Sequence, residues 1–271
     1  MGALGLGWDV WHSDRTGVGS GGADGWMGAG WGGWAARAGT VQGVPAGNFD
    51  AILFDAGGVL VLPDPTVLGP VLAYHGGDVT VAAHVRAHYA GMAAKSVAGV
   101  GETFWLEYNR AYVRAVGVTE DEADLAAVVL ERTRNAWLWR WAVPSSVVGL
   151  RALHEAGVPL GVVSNASGQI EQVLARELCQ VGDGPHTPMR VIVDSHVVGV
   201  SKPDPSIFDF ALPHFDGIPR ERIAYVGDSV TMDVGGARAA GLHPVLVDPY
   251  DDHPDADFDR ITTLLDLLER V

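Results

Sequence analysis

Thiols are almost absent: Cys179 is the single cysteine in the chain. One thiol closes no intramolecular disulfide, and thiolates alone build no zinc site here, so a reducing cytoplasm is the expected compartment. Positive charge is also scarce. Eighteen Lys and Arg stand against 33 Asp and Glu, a formal net charge of −15. Such a surface repels nucleic-acid backbones and anionic membranes, and neither is expected as a partner. No apolar run approaches the ~20 residues of a membrane span. The N-terminus lacks the charged start and continuous apolar core of a signal peptide, so no secretion is expected.

What is present suffices for one sizeable domain, or a domain with a smaller insert: 271 residues, 48% of them hydrophobic. Residues 1–48 stand apart. They are rich in glycine and carry Trp8, Trp11, Trp26, Trp31 and Trp34 without helical or alternating periodicity. A disordered extension is expected there. Its stretch "GGADGWMGAGWGGW" is no phosphate loop, because no strand precedes it and no helix-forming run follows.

From Asp50 the pattern becomes that of an α/β protein. Short apolar runs recur at 51–54, 159–163, 190–193, 223–226 and 244–247, with helical stretches between the later ones. "SSVVGLRALHEAG" sets Val147, Leu150 and Leu153 on one face and stops at Gly157. "GQIEQVLARELC" and "DVGGARAAG" also read as helices. Strands apolar on both faces, alternating with helices, imply a parallel sheet covered on both sides. One interval, from Asp64 to about Ala142, breaks the alternation. It shows helical patterns at "TVAAHVRAHYAGMAAKS", "GETFWLEYNRAYVRAVG" and "TEDEADLAAVVLERTRNAW" and no convincing strand. Thr119, followed by Glu120 and Glu122, is a good helix start. The expected organisation is a core over 49–63 and 143–271 with a helical insert over 64–142.

Ligands of open parallel sheets bind beyond the carboxyl ends of the strands. The first strand runs straight into Asp55, in "AILFDAGGVLV". The second ends on Ser164 and Asn165, Lys202 precedes the fourth, and Gly227, Asp228, Ser229 and then Asp233 follow the fourth. Singly, each has an ordinary explanation: an aspartate caps a turn, a serine caps a helix, a Lys-Pro pair makes a surface turn. Together, a carboxylate, a hydroxyl, a lysine and two further acids at one sheet edge suit phosphoryl transfer. A carboxylate can attack phosphorus. A hard cation such as Mg²⁺, on oxygens from Asp55 and Asp228, offsets the charge of the phosphate. A lysine and a hydroxyl hold the non-bridging oxygens.

The succession "FDAGGVLV … VVSNAS … SKPDPSIF … YVGDSVTMDVGGARAAG" resembles the haloacid dehalogenase-like hydrolase superfamily over about residues 50–250. The resemblance implies a Rossmann-like sheet of order 3-2-1-4-5, with an α-helical cap inserted after the first strand. It implies Asp55 as nucleophile, Ser164 and the Asn165 backbone on phosphate, and Lys202 on both phosphate and nucleophile. Mg²⁺ would be held by Asp55, the Gly57 carbonyl, Asp228 and, as an outer ligand, Asp233. The implied activity is a phosphatase acting on a small phosphorylated metabolite.

The chain departs from that pattern at Gly57. Most phosphatases of the superfamily carry there an aspartate that protonates the leaving group and activates water. His75, His84 and His88 are the candidates to replace it. His84 and His88, four apart, are expected to form an ordinary exposed or cap-facing pair, since "HVRAH" lacks the acid of a zinc-binding helix. Trp137, Trp139 and Trp141 are expected to pack at a domain junction. The same departure leaves two further readings open: a 2-haloacid dehalogenase, and a non-catalytic fold that keeps the phosphate pocket for binding.

Overall fold

The fold is that of a computed structural model, which describes residues 49–99 and 104–271; the extension expected over 1–48 lies outside the described residues. In chain order the strands are β1 (Ala51–Phe54), β2 (Val61–Pro63), β3 (Trp139–Ala142), β4 (Leu160–Ser164), β5 (Cys179–Val181), β6 (Thr187–Met189), β7 (Ile192–Asp194), β8 (Ile223–Gly227), β9 (His243–Val247) and β10 (Asp259–Ile261). Six of them make one sheet in the order β10-β9-β8-β1-β4-β7. Every pairing in it is parallel.

The chemistry of β1 explains its central place. All four of its residues are buried, as are all five of β4 and of β8. Successive side chains of a strand point to opposite faces. Ile52 and Phe54 accordingly join one apolar cluster with Val162, Ala224 and Val226. Ala51 and Leu53 join another with Val163, Tyr225 and Phe208. Both faces are therefore dry. Phe54 lies opposite Val162 on one side and Val226 on the other. The residue that follows it emerges at the switch point of the sheet, where such folds bind their ligands.

Helix α1 (Pro65–Ala73), α2 (Val81–Ala98), α3 (Leu106–Ala115) and α4 (Glu120–Thr133) lie between β2 and β3. They share a cluster of their own, built on Leu68, Leu72, Tyr108, Tyr112 and Leu130. Asp64 caps α1 by accepting from the Thr66 amide at 2.9 Å, with Pro65 in the first turn. Thr119 does precede α4, but its hydroxyl donates to the Asp121 carboxylate rather than capping the backbone. The chain leaves and re-enters through one antiparallel ribbon, Val61 opposite Ala142 and Leu62 opposite Trp141.

That ribbon corrects the expectation of no strand before Ala142. β3 spans only Trp139–Ala142 and is half-buried, so its sequence shows no apolar run; pairing with β2 makes it a strand. The helix expected in "GQIEQVLARELC" is also shorter, α6 covering only Ile170–Leu174. Cys179 is drawn instead into β5, which pairs with β6. α5 (Pro144–Glu155) matches its pattern, with Leu150 and Leu153 in the core and Gly157 at a φ of 81°. The edge strand β10 has no sequence signal, being three residues long and centred on a charge.

Gly91 of α2 lies against Tyr108 of α3. A Cβ built there would stand 2.6 Å from Cδ2 of Tyr108, a fully buried ring. Gly91→Ala would gain ~1 kcal/mol of helix propensity. The steric cost of overfilling a packed contact is about 1–3 kcal/mol. Net destabilisation is the expected result, read as a fall in Tm of about 2–4 °C in a scan of the variant beside the wild type.

Candidate active site

Asp55 is the first residue past β1. Its amide still donates to the Val226 carbonyl at 2.8 Å, so the side chain leaves from a fixed backbone. Oδ1 accepts from the Ala56 amide at 2.7 Å, and Lys202 Nζ stands 3.0 Å from Oδ2. The Ser164 hydroxyl, at the end of neighbouring β4, also hydrogen-bonds this carboxylate.

Lys202 is 2% exposed and donates to Asp233 Oδ1 at 2.6 Å and to the Tyr225 hydroxyl at 2.8 Å. Asn165 fixes its backbone from both sides. The amide of Lys202 donates to Asn165 Oδ1 at 2.8 Å, and Asn165 Nδ2 donates to the Lys202 carbonyl at 3.0 Å. Tyr225 is anchored in turn, donating to the Val163 carbonyl at 2.7 Å. A tyrosine inside an otherwise aliphatic strand, "IAYVG", was the one available sign of this role, and sequence reasoning missed it.

Asp233 is committed on both oxygens. Oδ2 accepts from the amides of Asp228 and Ser229 at 3.0 and 2.9 Å, while Oδ1 takes Lys202. It organises the loop after β8. Gly227 leaves room for it, since a Cβ there would fall 2.2 Å from the Asp233 Cγ. Gly58 does the same for Asp228: it has a φ of 70°, and a Cβ would lie 1.7 Å from Asp228 Oδ2. No side chain but hydrogen fits there.

Of the three candidate histidines only His88 reaches this site. His75 pairs with Glu122 at 2.8 Å, and His84 bonds the Tyr112 hydroxyl at 2.7 Å. His84 and His88 are 2% and 0% exposed, so of the two alternatives, exposed or cap-facing, the exposed one fails, and each turns to its own tyrosine rather than to a shared metal. His88 Nε2 stands 2.8 Å from Asp228 Oδ2 and Nδ1 2.9 Å from the Tyr108 hydroxyl. Burial, with Arg134 adding to it, pushes this imidazole down to about 3. It is therefore neutral: Nε2–H donates to Asp228 and Nδ1 accepts from Tyr108. Tyr89, one residue on, donates to the Gly58 carbonyl at 2.8 Å.

The space over Gly57 is filled by Trp139. A Cβ on Gly57 would meet the indole at 3.3 and 3.4 Å. Trp139 also packs edge-on against His88, ring centroids 5.4 Å apart. Of the three tryptophans expected at a junction, Trp139 packs against the apolar clusters of both the sheet and the insert and reaches the site, whereas Trp137 is exposed.

Asp55, Asp228 and Asp233 each offer a carboxylate oxygen within 4.8 Å of the others. Burial pushes the Asp55 carboxyl up to about 7, against the pull of Lys202 and with the repulsion of Asp233 and Asp228. Lys202, which burial alone would depress, is held above its ordinary value by Asp233 and Asp55. One lysine among three acids leaves surplus negative charge, and hard oxygen donors at this spacing fit a divalent cation such as Mg²⁺. These groups, with Ser164, Asn165 and Gly57, line a cavity of about 280 Å³, at the small end for ligand pockets.

A parallel sheet covered on both faces, with a carboxylate, a buried lysine and an acid cluster at its switch point, is the arrangement of an enzyme with an α/β fold. The chain belongs to the haloacid dehalogenase-like hydrolases, whose family model matches residues 49–241. It is similar to the glyceraldehyde 3-phosphate phosphatase of Methanopyrus kandleri, 29% identical over 171 residues that cover 59% of this chain and 70% of that protein. To the phosphoserine phosphatase of Thermus thermophilus it is 32% identical over 141 residues, 52% of this chain and 53% of that protein. The matched segment thus spans about half of the second relative. Among solved structures, the HAD-type hydrolase YfnB of Bacillus subtilis, bound to magnesium, aligns over 82% of this chain and 98% of its own, with a TM-score of 0.51 and 17% identity; that likeness is one of fold. Among the described residues no helix is long and apolar enough to cross a membrane.

Removing the Asp233 carboxylate would strand a buried ammonium and two loop amides. Asp233→Ala is expected to cost about 3–5 kcal/mol of stability, as for other broken buried pairs. Denaturant unfolding in chelator should show this loss without any metal. Asp228→Ala should cost less there; Mg²⁺ is expected to raise the Tm of the wild type and to leave that of Asp228→Ala unchanged.

Proposed function

We propose that this hydrolase is a Mg²⁺-dependent phosphatase of a small phosphorylated metabolite, working through an aspartyl-phosphate on Asp55. The observation that carries the reading is the buried chain Asp55–Lys202–Asp233, with contacts of 3.0 and 2.6 Å at the end of the central strand. Helices α1–α4 and β3 act as the cap, residues 64–142, over a core of 49–63 and 143–271.

In this reading one oxygen of Asp55 attacks phosphorus, and the bond to the leaving oxygen breaks. Lys202 stays protonated, holds the nucleophile in place and faces the charge that gathers on the phosphoryl oxygens. The Ser164 hydroxyl and the Asn165 backbone bind those oxygens. The Asn165 side chain keeps Lys202 in register, since both of its polar ends are spent on the Lys202 backbone. Mg²⁺, held by Asp55, Asp228 and the Gly57 carbonyl, with Asp233 behind them, would neutralise and orient the substrate phosphate. Water then attacks the aspartyl-phosphate, releasing inorganic phosphate and restoring the carboxylate.

The neutral His88 donates a hydrogen bond from Nε2–H to Asp228, which makes it a positioning residue for that carboxylate. With Trp139 over Gly57, leaving groups that need little protonation are favoured.

Asp55→Asn should retain the fold and lose at least 99% of phosphate release from p-nitrophenyl phosphate and acetyl phosphate. Excess chelator should do the same to the wild type. A variant keeping a tenth of wild-type turnover, or full turnover in chelator, would overturn the mechanism. Chloride release from a 2-chloroacid would point instead to a dehalogenase.

Gly57 is not in the left-handed region, so its backbone accepts a side chain; the obstacle is Trp139. Gly57→Asp alone is expected to give no gain on alkyl phosphates. Combined with Trp139→Ala, it should raise the ratio of alkyl to aryl phosphate turnover by about tenfold or more, short of the ~10²–10⁴ of a fully positioned acid.

A further inference from the structure

The same cavity is lined by residues of the helical insert, and among them are two cations and no carboxylate: Met92, Lys95, Trp105, Arg134, Asn135 and Ala136. The acids of the lining, Asp55, Asp228 and Asp233, all come from the sheet side. Lys95 is 3% exposed on α2, an uncommon state for a lysine. Its Nζ lies 3.6 Å from the Trp105 ring centroid, and the Arg134 guanidinium 3.9 Å from the same centroid. Cations on an indole face are stabilised there, the more so when desolvated.

The guanidinium is held from behind. Arg134 donates to Asn109 Oδ1 and lies 3.5 Å from Glu131, to which Asn109 itself donates at 2.6 Å. Trp105 and Trp139 stand 6.2 Å apart, and Trp139 is the ring over Gly57. The two cations, on Trp105, line the insert's side of the cavity, and the three acids line the sheet side. The cations are placed for the far end of a substrate rather than for its phosphate. In a chain of net charge −15, fixed positive charge at that end is what an anionic tail requires.

We propose that Lys95 and Arg134, stacked on Trp105, select phosphate esters whose other end carries a carboxylate or a second phosphate. The inference rests on the phosphatase reading for the orientation of the substrate, and it narrows the substrate class.

Non-hydrolysable phosphonates test it without turnover. Calorimetry in Mg²⁺ would compare 3-phosphonopropionate and phosphonoacetate with propylphosphonate, which has no tail charge. At least one of the two acids should bind wild type tenfold or more tightly than propylphosphonate. Lys95→Met and Arg134→Met, which keep the apolar stem, should each shrink that ratio at least fivefold, while Lys95→Arg should keep most of it. Equal affinity in the wild type would overturn the proposal, and needs no variant to fold. So would Met variants that weaken all ligands alike, since that is the mark of a structural role. Turnover of 4-carboxyphenyl phosphate against phenyl phosphate gives the second readout, the leaving groups being close in acidity. If neither ester is hydrolysed but the affinity ratio stands, the phosphatase reading fails and the anion site survives. If both are hydrolysed at equal kcat/KM and the phosphonates bind alike, the anion site fails and the phosphatase reading survives.

Discussion

A lysine with almost no access to solvent is held between two carboxylates, and much of the site follows from that one arrangement. Burying an ammonium costs several kcal/mol unless it is paired and its protons are accepted. Lys202 meets the requirement with Asp55, Asp233 and the Tyr225 hydroxyl. Each partner has to be fixed in turn. Tyr225 is held by the Val163 carbonyl, Asp233 by two loop amides, and the Lys202 backbone by Asn165. The result ties β4, β8 and the loop before β8 to the end of β1, and holds Asp55 still.

The same arrangement is short of positive charge. Asp228 adds a third carboxylate within 4.8 Å, and a single lysine does not balance three acids in a dry place. Burial and neighbouring acids raise Asp55 for this reason. Hard oxygen donors at this spacing fit a divalent cation. Gly58 and Gly227 supply the room, because any Cβ would collide with Asp228 or Asp233.

The helical insert completes the cavity with groups of another kind. Trp139 lies where the superfamily's usual acid would project, while His88 and Tyr89 reach from α2 to Asp228 and to the Gly58 carbonyl. The insert thus contributes aromatic surface and neutral hydrogen bonds next to the acids, and keeps its two lining cations near Trp105. In the proposed reading, chemistry falls to the sheet side of the cavity and recognition to the helical side.

The sequence by itself determined the elements that depend on local pattern. Unbroken apolar runs at 51–54, 159–163 and 223–226 can only be strands buried on both faces, and the polar residues that end them must share one edge of a parallel sheet. Asp55, Ser164, Asp228 and Asp233 were legible for that reason, Lys202 through the order of motifs shared with the superfamily, and the structure brings all five around one cavity. β3 and β10 were not legible, since a four-residue and a three-residue strand carry too little periodicity to register. Nor could the sequence say which histidine of "HVRAH" would touch the acids. His84 and His88 share one helix face, and only the packing of α2 against α3 and the sheet sends one to Tyr112 and the other to Asp228. The neighbours of Gly57 were likewise out of reach. Trp139 is 82 positions away in the chain, and a contact at that separation is decided by how the ribbon of β2 and β3 docks, not by any residue's own preference.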